Sequence, residues 1–476
     1  MSHANPPTEL YHAAAFADPD LRAPDLRAPD LRAPDLRAPD LRAPDLRAPD
    51  LLADVVIVGA GPAGTTAAML LAKSGRQVLL ADKASFPRDK CCGDGLTTLA
   101  LRELDALGFD PASVPNWQTV DAAWLRSPSG REVRVPLPSG ADGIFAATAP
   151  RRELDVALTV MAVRDGAHLH QGWALTGIGQ HGDHVDSTFQ VTTAAGDDVS
   201  LVVRSRYVIA ADGMWSPTRK LLGLSEPGYL GEWHAFRQYA RNVSGPARER
   251  LYVWFEPDLL PGYMWSFPLP DGRVNIGFGI QRGGERRVRD MKDLWADLLQ
   301  RPHVVAALGP DVELEDRHTA WPIPAGIDRA TLTADRTLFV GDAARATDTM
   351  TGEGIGQALL TGRLAAEALL AAGALEPHVA RAHYEHAVRH HLLADHKMSA
   401  TLARALTSEL GARGAIRLVG TSDWTRRNFA RWMFEDEPRA VLLTPSRWHR
   451  GLLRNKGAFR AHAQRRLDTA THVRHS

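Results

Sequence analysis

The stretch Asp54 to Asp82 constrains this chain more than any other, because its consecutive pieces read as one device. The apolar run Val55-Val56-Ile57-Val58 predicts a buried strand, and Gly59-Ala60-Gly61-Pro62-Ala63-Gly64 predicts a tight turn that opens an Ala- and Leu-rich helix. Val78-Leu79-Leu80 predicts a second strand, closed by Asp82. The glycines do separate jobs. Gly59 permits the turn, Gly61 lets backbone N–H groups approach a pyrophosphate, and Gly64 lets the helix pack on the strand. The helix N-terminus then faces the phosphates. Asp82 stands eighteen residues past Gly64. That is near the roughly 20-residue spacing expected of a carboxylate that accepts from ribose hydroxyls. The device implies binding of the adenine half of a dinucleotide.

One such unit cannot account for 476 residues. Single cores stop growing near about 250 to 300 residues, so two or more domains are expected. With 56 basic against 56 acidic residues, no global field draws the chain to nucleic acid. The two cysteines, Cys91 and Cys92, are adjacent, which excludes a disulfide framework and points to a reducing cytoplasm. No apolar run of about 18 residues and no charged start followed by an apolar segment is present, so neither a spanning helix nor secretion is expected. No metal site is expected. Leu-Arg-Ala-Pro-Asp repeats six times from Leu21 to Asp50. A proline every fifth residue forbids a continuous helix, so residues 1–50 are expected to be a disordered or polyproline-II arm outside the fold.

Downstream the chain returns twice to the same kind of site. Tyr207-Val208-Ile209-Ala210-Ala211-Asp212-Gly213 predicts a buried strand ending in Asp-Gly, and Thr337-Leu338-Phe339-Val340-Gly341-Asp342 predicts another ending in Gly-Asp. The latter leads into Met350-Thr351-Gly352-Glu353-Gly354-Ile355 and a long Ala/Leu helix. An acid right after a buried strand can accept from a sugar-like hydroxyl, and a Gly-rich helix start presents N–H groups and a dipole.

These segments together resemble the FAD-binding signature of the para-hydroxybenzoate hydroxylase-like flavoproteins. Within that superfamily, Ser85-Phe86-Pro87-Arg88-Asp89-Lys90-Cys91-Cys92-Gly93-Asp94-Gly95-Leu96-Thr97 resembles the FPR-x-K-x-CG-D-G-L block of the geranylgeranyl reductase family. Pro261-Gly262-Tyr263-Met264-Trp265-Ser266-Phe267-Pro268, followed by Val274 to Gly279, resembles that family's aromatic pocket motif, and Arg151-Arg152-Glu153-Leu154-Asp155 its R-x-x-[FL]-D block. The resemblance covers roughly residues 52–375. Asp348-Thr349-Met350 departs from it, standing where relatives often carry Asp-Pro or Asn-Pro.

The resemblance implies an FAD-dependent oxidoreductase that reduces isolated double bonds of a polyprenyl lipid, a geranylgeranyl chain or the tail of menaquinone, by hydride transfer from reduced flavin. It implies cofactor contacts from Gly59, Gly61, Pro62, Ala63, Gly64, Asp82, Lys83, Arg88, Cys92, Gly93, Asp94, Arg151, Asp212, Gly213, Gly341, Asp342, Gly352, Gly354 and Ile355. Cys92, Tyr263 and Trp265 are the candidate catalytic residues. A thiol at Cys92 shapes the site, supplies a proton if its pKa lies near the working pH, or merely packs. Arg152 competes with Arg151 for the phosphates. Lys90 faces the cofactor or solvent, and Glu353 holds its loop by hydrogen bonds or donates a proton. No second dinucleotide fingerprint follows a strand, since Gly277-Phe278-Gly279 lacks the third glycine. NADPH as a transient visitor, a reduced ferredoxin or a quinol therefore remain equal candidates for electron donor.

An unactivated alkene needs a long, dry, apolar tunnel. Trp233, Phe236, Tyr252, Trp254, Phe255, Tyr263, Trp265, Phe267 and Phe278 are its candidate walls, each competing with a plain core role. From Trp424 to Ser476 there are twelve Arg and Lys against four Asp and Glu, a net of +8, interleaved with aromatics. That pattern suits either contact with the inner face of an anionic membrane or a helical cap with solvated arginines. The competing functions are a flavin monooxygenase or halogenase acting on a small aromatic or secondary metabolite, and a non-catalytic flavin-bearing scaffold.

The expected fold is α/β: a discontinuous Rossmann-like FAD-binding domain from residues 51–100, 145–222 and 330–375. An antiparallel-sheet substrate domain from residues 101–144 and 223–329 is inserted in it, and a basic helical region, residues 376–476, follows.

Overall fold

The computed structural model describes residues 49–138, 140–192, 196–284, 287–372, 377–435, 438–448 and 456–461. The repeat arm lies outside the described residues except for Pro49 and Asp50. Asp50 donates its N–H to Val202 O and accepts from Val202 N, at 2.9 and 2.8 Å, so the sheet begins one residue before its first strand.

Apolar runs with Gly-rich ends build a parallel sheet. Its strands lie in the order Thr337–Phe339, Asp198–Ala210, Leu51–Val58, Val78–Asp82, His168–Gln171, with the short strand Thr333–Ala334 antiparallel at one edge. Strands covered on both faces have no polar side to show, which is why Val55 to Val58 and Tyr207 to Ala210 are apolar without alternation. Val55, Ile57, Leu80 and Ile209 join a core with the helices Pro62–Lys73, Arg151–Arg164 and Ile355–Ala372. Val56, Val58, Leu79 and Val208 point the other way, against Leu175 and Phe189 of an antiparallel hairpin, Trp173–Gln180 and Val185–Thr192.

The register decides where the site forms. Val58 pairs with Ala81 and Ala210, and Ala210 pairs with Phe339, so the parallel strands end in line. The Gly59 turn, Asp82, Asp212 and Asp342 therefore meet along one edge, where open α/β sheets bind their ligands.

A second sheet has seven strands, in the order Glu313–Ile323, Trp233–Arg241, Val274–Gln281, Tyr263–Pro268, Leu251–Trp254, Ala122–Arg126, Glu132–Pro136. Every neighbouring pair is antiparallel except Leu251–Trp254 with Ala122–Arg126, which is parallel. One face packs under the helices Met291–Gln300 and Pro302–Leu308. Near its Glu132–Pro136 edge, Leu125, Val135 and Val253 pack with Ile416, Val419 and Ala430 of the helices Glu409–Val419 and Asp423–Met433. The helix Thr98–Ala106 and the segment to Trp117 put Leu101, Leu104, Phe109 and Trp117 into the core of the parallel sheet.

Candidate active site

One cavity of about 1360 Å³ runs from the Gly59 turn, across the Cys92 loop, to the helices near Ile416 and Trp432. That exceeds the usual few hundred to about 1,000 Å³ of a small-molecule pocket, leaving room for a dinucleotide and a long second ligand.

At the dinucleotide end the glycines are sterically required. Gly59 has φ +103°, and a Cβ there would lie 2.3 Å from Ala211 O; one on Gly64 would lie 1.9 Å from Gly59 O. Gly61 caps the Pro62–Lys73 helix with no side-chain bond and no acid in the first turn, which leaves its N-terminal dipole open to an anion. Asp82 accepts from Ala60 N and Ala84 N, each at 2.9 Å, which aims its carboxylate across the turn. Arg88 lies beside it, 3.6 Å from Asp82 and 3.2 Å from Asp155, and Lys83 lines the same wall. Arg151 also lines the cavity, with its guanidinium clamped by Asp155 through two 2.9 Å bonds, whereas Arg152 does not line it.

Two further strand ends complete the edge. Asp212 accepts from Thr218 N at 2.8 Å through Oδ2, but its buried Oδ1 has no protein partner. Burial accordingly raises its pKa. Asp342 pairs with Lys90 at 2.7 Å, and Lys90 lines the cavity rather than standing as a solvated loop residue. Burial works against the Asp342 carboxylate, yet Lys90 holds it below its usual range. Gly213, Gly341 and Gly352 all have positive φ, and Gly354 and Ile355 open the long helix against the cavity. The strictly built glycine cradle, the strand-end acids and the unpartnered Asp212 oxygen fit a flavin dinucleotide with its hydroxylated linker.

The Cys92 loop differs from expectation in one member. Asp94, expected to touch the cofactor, is fully buried behind the loop and does not line the cavity. Its carboxylate is consumed internally: Oδ1 accepts from Arg151 N at 3.1 Å, and Oδ2 from Tyr239 OH at 2.6 Å and Asn275 Nδ2 at 2.7 Å. Asp94 thus ties three segments together from a left-handed φ of +62°. Cys92 and Gly93 do line the cavity, and Asn275 Nδ2 also binds Cys92 O at 2.8 Å. Burial pushes the Cys92 thiol up to about 11, against a smaller lowering by Arg151, so it stays a neutral S–H at working pH. The condition for a proton-supplying thiol, a pKa near working pH, is not met. Both cysteines are free.

At the apolar end Tyr263 OH donates to Thr351 O, and Trp265 Nε1 donates to Asn275 Oδ1 at 3.1 Å. Both rings are thereby fixed, with centroids 6.2 Å apart. Of the nine candidate wall aromatics, Trp233, Phe255, Tyr263, Trp265 and Phe267 line the cavity. Phe236, Tyr252, Trp254 and Phe278 do not. They pack on the opposite face of the sheet with Trp295, because strand residues alternate and Leu251, Val253 and Ala235 take the cavity side. Asp348 accepts from Met350 N, Thr351 N and Thr351 Oγ1, so an Asp-Thr-Met turn holds the rim without a proline.

Sequence reasoning missed Asn275, Tyr239 and the C-terminal contribution of Glu435 and Arg439. Asn275 had a signal, a lone amide inside the apolar run Val274–Gly279. Among the described residues His181, His184 and Asp186 bring ligating atoms within 4.8 Å of one another. None of the three lines the cavity, and Arg204 already holds Asp186 through two 2.8 Å bonds.

Comparison with known proteins matches residues 52–372 to the FAD binding domain family. A menaquinone reductase of Mycolicibacterium smegmatis is 33% identical over 67% of this chain and 77% of its own length. Digeranylgeranylglycerophospholipid reductase 2 of Methanopyrus kandleri is 32% identical over 68% of this chain and 78% of its own. Among solved structures, a geranylgeranyl bacteriochlorophyll reductase-like protein of Thermoplasma acidophilum superposes with TM-score 0.68 and 22% identity, over 83% of this chain and 99% of its own. A flavin-dependent brominase shares the fold at TM-score 0.62 and 19% identity, over 83% and 98%.

Proposed function

The chain belongs to the geranylgeranyl reductase family of FAD-dependent oxidoreductases, and from that premise we propose that it saturates isolated double bonds in the polyprenyl chain of a lipid, menaquinone or a geranylgeranyl lipid. The observation that carries the reading is the continuity of the cavity. The same space that begins at the glycine cradle ends among Leu251, Val253, Ile416, Phe429 and Met433, which offer a long alkyl chain apolar contact and no polar group to satisfy. The two reductase relatives, named for a prenylated quinone and a geranylgeranylated lipid, support the same substrate class. The brominase, alike in fold alone, does not support its own activity here.

FAD, when bound, supplies the hydride. The chain's own residues bind and orient. Gly59, Gly61 and the Pro62 helix start hold the pyrophosphate, Asp82 the ribose, and Asp212 and Asp342 the hydroxyls of the linker. Tyr263 and Trp265, each locked by one hydrogen bond, form a stiff wall that keeps the alkene in one pose and excludes water. The neutral Cys92 thiol borders this space as a small apolar group.

Lipid entry is assigned to the C-terminal helices. Leu410, Leu418 and Trp424 are exposed on the helices whose inner residues close the cavity, and exposed Arg413, Arg417 and Arg427 lie among them. Exposed aliphatics beside cations suit an anionic lipid surface. Among the described residues no helix is long and apolar enough to cross a membrane.

The test is a lipid panel. The reduced holoprotein is mixed anaerobically with menaquinone, geranylgeranyl lipids and short-chain analogues, and flavin reoxidation is followed. Reoxidation by the long prenyl lipids supports the reading; reoxidation by small aromatics alone, or only by oxygen, contradicts it. Supplying NADPH, reduced ferredoxin or a quinol to the oxidised protein in turn identifies the electron donor.

A further inference from the structure

Saturating an alkene consumes a proton as well as a hydride, and Cys92 is poorly suited to give it. The structure holds another candidate where the C-terminal segment meets the long helix start. Glu353 lines the cavity between Gly352 and Gly354, and its Oε1 accepts from Ile355 N at 3.0 Å and Gly356 N at 2.9 Å. Those bonds fix the carboxyl group and leave Oε2 to carry a proton. Glu435, just past the helix Asp423–Met433, accepts from Gln357 Nε2 at 2.8 Å and Thr97 Oγ1 at 3.0 Å. Asp348 completes the cluster, with Ser399 Oγ at 2.6 Å.

Counting charges decides the protonation state. Arg439 lies 3.3 Å from Asp348 and 3.5 Å from Glu435, with its side chain 2% exposed, and among the described residues Glu353 has no ion pair. Three buried carboxyls thus share one guanidinium, and full ionisation would leave two uncompensated negative charges in a dry site. Burial and then the facing Glu435 push Glu353 up to about 8, and burial together with Asp348, against Arg439, pushes Glu435 up to about 7. Burial works against the Asp348 carboxylate, but Arg439 together with the hydrogen bonds from Ser399 and Thr351 holds it below its usual range, so it stays ionised. The remaining titratable neighbours, Tyr263 and Cys92, are both raised by burial and stay neutral. Gln357 Oε1 is buried without a donor, a further sign that the cluster has acceptors to spare.

We infer that Glu353 is the proton donor of the double-bond reduction, with Glu435 as its positioning partner from the C-terminal segment. The inference rests on the prenyl-reductase reading. In the step, the π bond breaks, one alkene carbon takes the hydride that reduced flavin supplies, and the other takes the proton from Glu353 Oε2. The O–H electron pair stays on the carboxylate, which keeps the N–H bonds from Ile355 and Gly356, and water returns a proton before the next turnover.

The test uses the full-length holoprotein. Glu353→Gln keeps the side-chain oxygen that accepts from Ile355 and Gly356, so the helix start and flavin content are retained. Single-turnover oxidation of the reduced protein by menaquinone or a geranylgeranyl lipid is measured across pH. Alongside it, the protonated-carboxyl infrared band of the oxidised, lipid-free holoprotein is titrated. The expected result for Glu353→Gln is at least a 100-fold slower reduction, within the range for a lost general acid, and loss of a band titrating near pH 8. Glu435→Gln lowers the midpoint of that band and of the alkaline fall in rate together. Reduction by Glu353→Gln within about threefold of wild type, or a band indifferent to Glu435→Gln, overturns the assignment. A wild-type protein that shows the band yet reduces no prenyl lipid overturns the reductase reading and the donor role with it. A wild type that reduces lipid beside an unimpaired Glu353→Gln overturns the donor role alone.

Discussion

Replacing Asn275 by Leu should cost more than its one side chain suggests. Asn275, itself fully buried, donates to Asp94 Oδ2 and to Cys92 O, and accepts from Trp265 Nε1. Leu matches its size but leaves two acceptors and one donor unpaired. A buried group that loses its partner costs about 1 to 3 kcal/mol, more when the acceptor is charged. Asp94 Oδ2 keeps Tyr239, which softens one of the three losses. A destabilisation of about 3 to 5 kcal/mol follows, near the top of the range for single substitutions. The loss should also slacken the Cys92–Gly93 backbone and the Trp265 ring together. The assay is urea unfolding of the flavin-loaded protein by far-ultraviolet circular dichroism, with flavin fluorescence read in parallel. Tyr239→Phe, which removes a single bond to Asp94, should cost only about 1.5 to 3 kcal/mol. An Asn275→Leu protein within about 0.5 kcal/mol of wild type would refute the claim that this amide ties the loop to the sheet.

Gly59→Ala should abolish retention of FAD, measured as the flavin-to-protein ratio after gel filtration, because its Cβ would meet Ala211 O at 2.3 Å in a left-handed backbone. Val253→Trp should fill the apolar end, raising KM for long prenyl lipids while flavin content is unchanged. Trp254→Ala, one residue on and facing the other way, should cost about 3 to 5 kcal/mol of stability without changing chain-length preference. Glu353 is raised in the folded state, so the folded protein binds more protons than the unfolded between their two pKa values. Its contribution is present below the unfolded carboxyl pKa and is lost as pH rises toward about 8, a fall in urea midpoint that Glu353→Gln should flatten. Arg413→Ala with Arg417→Ala should weaken sedimentation with anionic vesicles by about 1 kcal/mol each, an effect that rising salt erases.

The sequence showed the parallel sheet and its three ligand-bearing strand ends because each is a local pattern: an apolar strand, then glycine or an acid. Gly59, Asp82, Asp212 and Asp342 meet because their strands end in register, and no long-range reasoning is needed to place them on one edge. The aromatic walls were half legible. Within Leu251-Tyr252-Val253-Trp254 the alternation was visible, but which face met the cavity depended on the helix Met291–Gln300 covering the other. Asp94 was misplaced for a related reason. It sits in a cofactor loop, yet its partners Tyr239 and Asn275 come from strands well over a hundred residues away. Glu353 could be read as a loop holder, but its facing partner Glu435 arrives from a segment with no motif at all.

The most direct test of the account is product mass. The reduced holoprotein is mixed anaerobically with menaquinone in ordinary water and again in deuterium oxide, and the recovered lipid is weighed by mass spectrometry against the flavin oxidised. The account predicts one saturated double bond per flavin, with two hydrogens gained in water and two deuterons in deuterium oxide, located in the prenyl tail. Flavin oxidation with an unchanged tail, or with oxygen or halogen incorporated into a small aromatic instead, would contradict it.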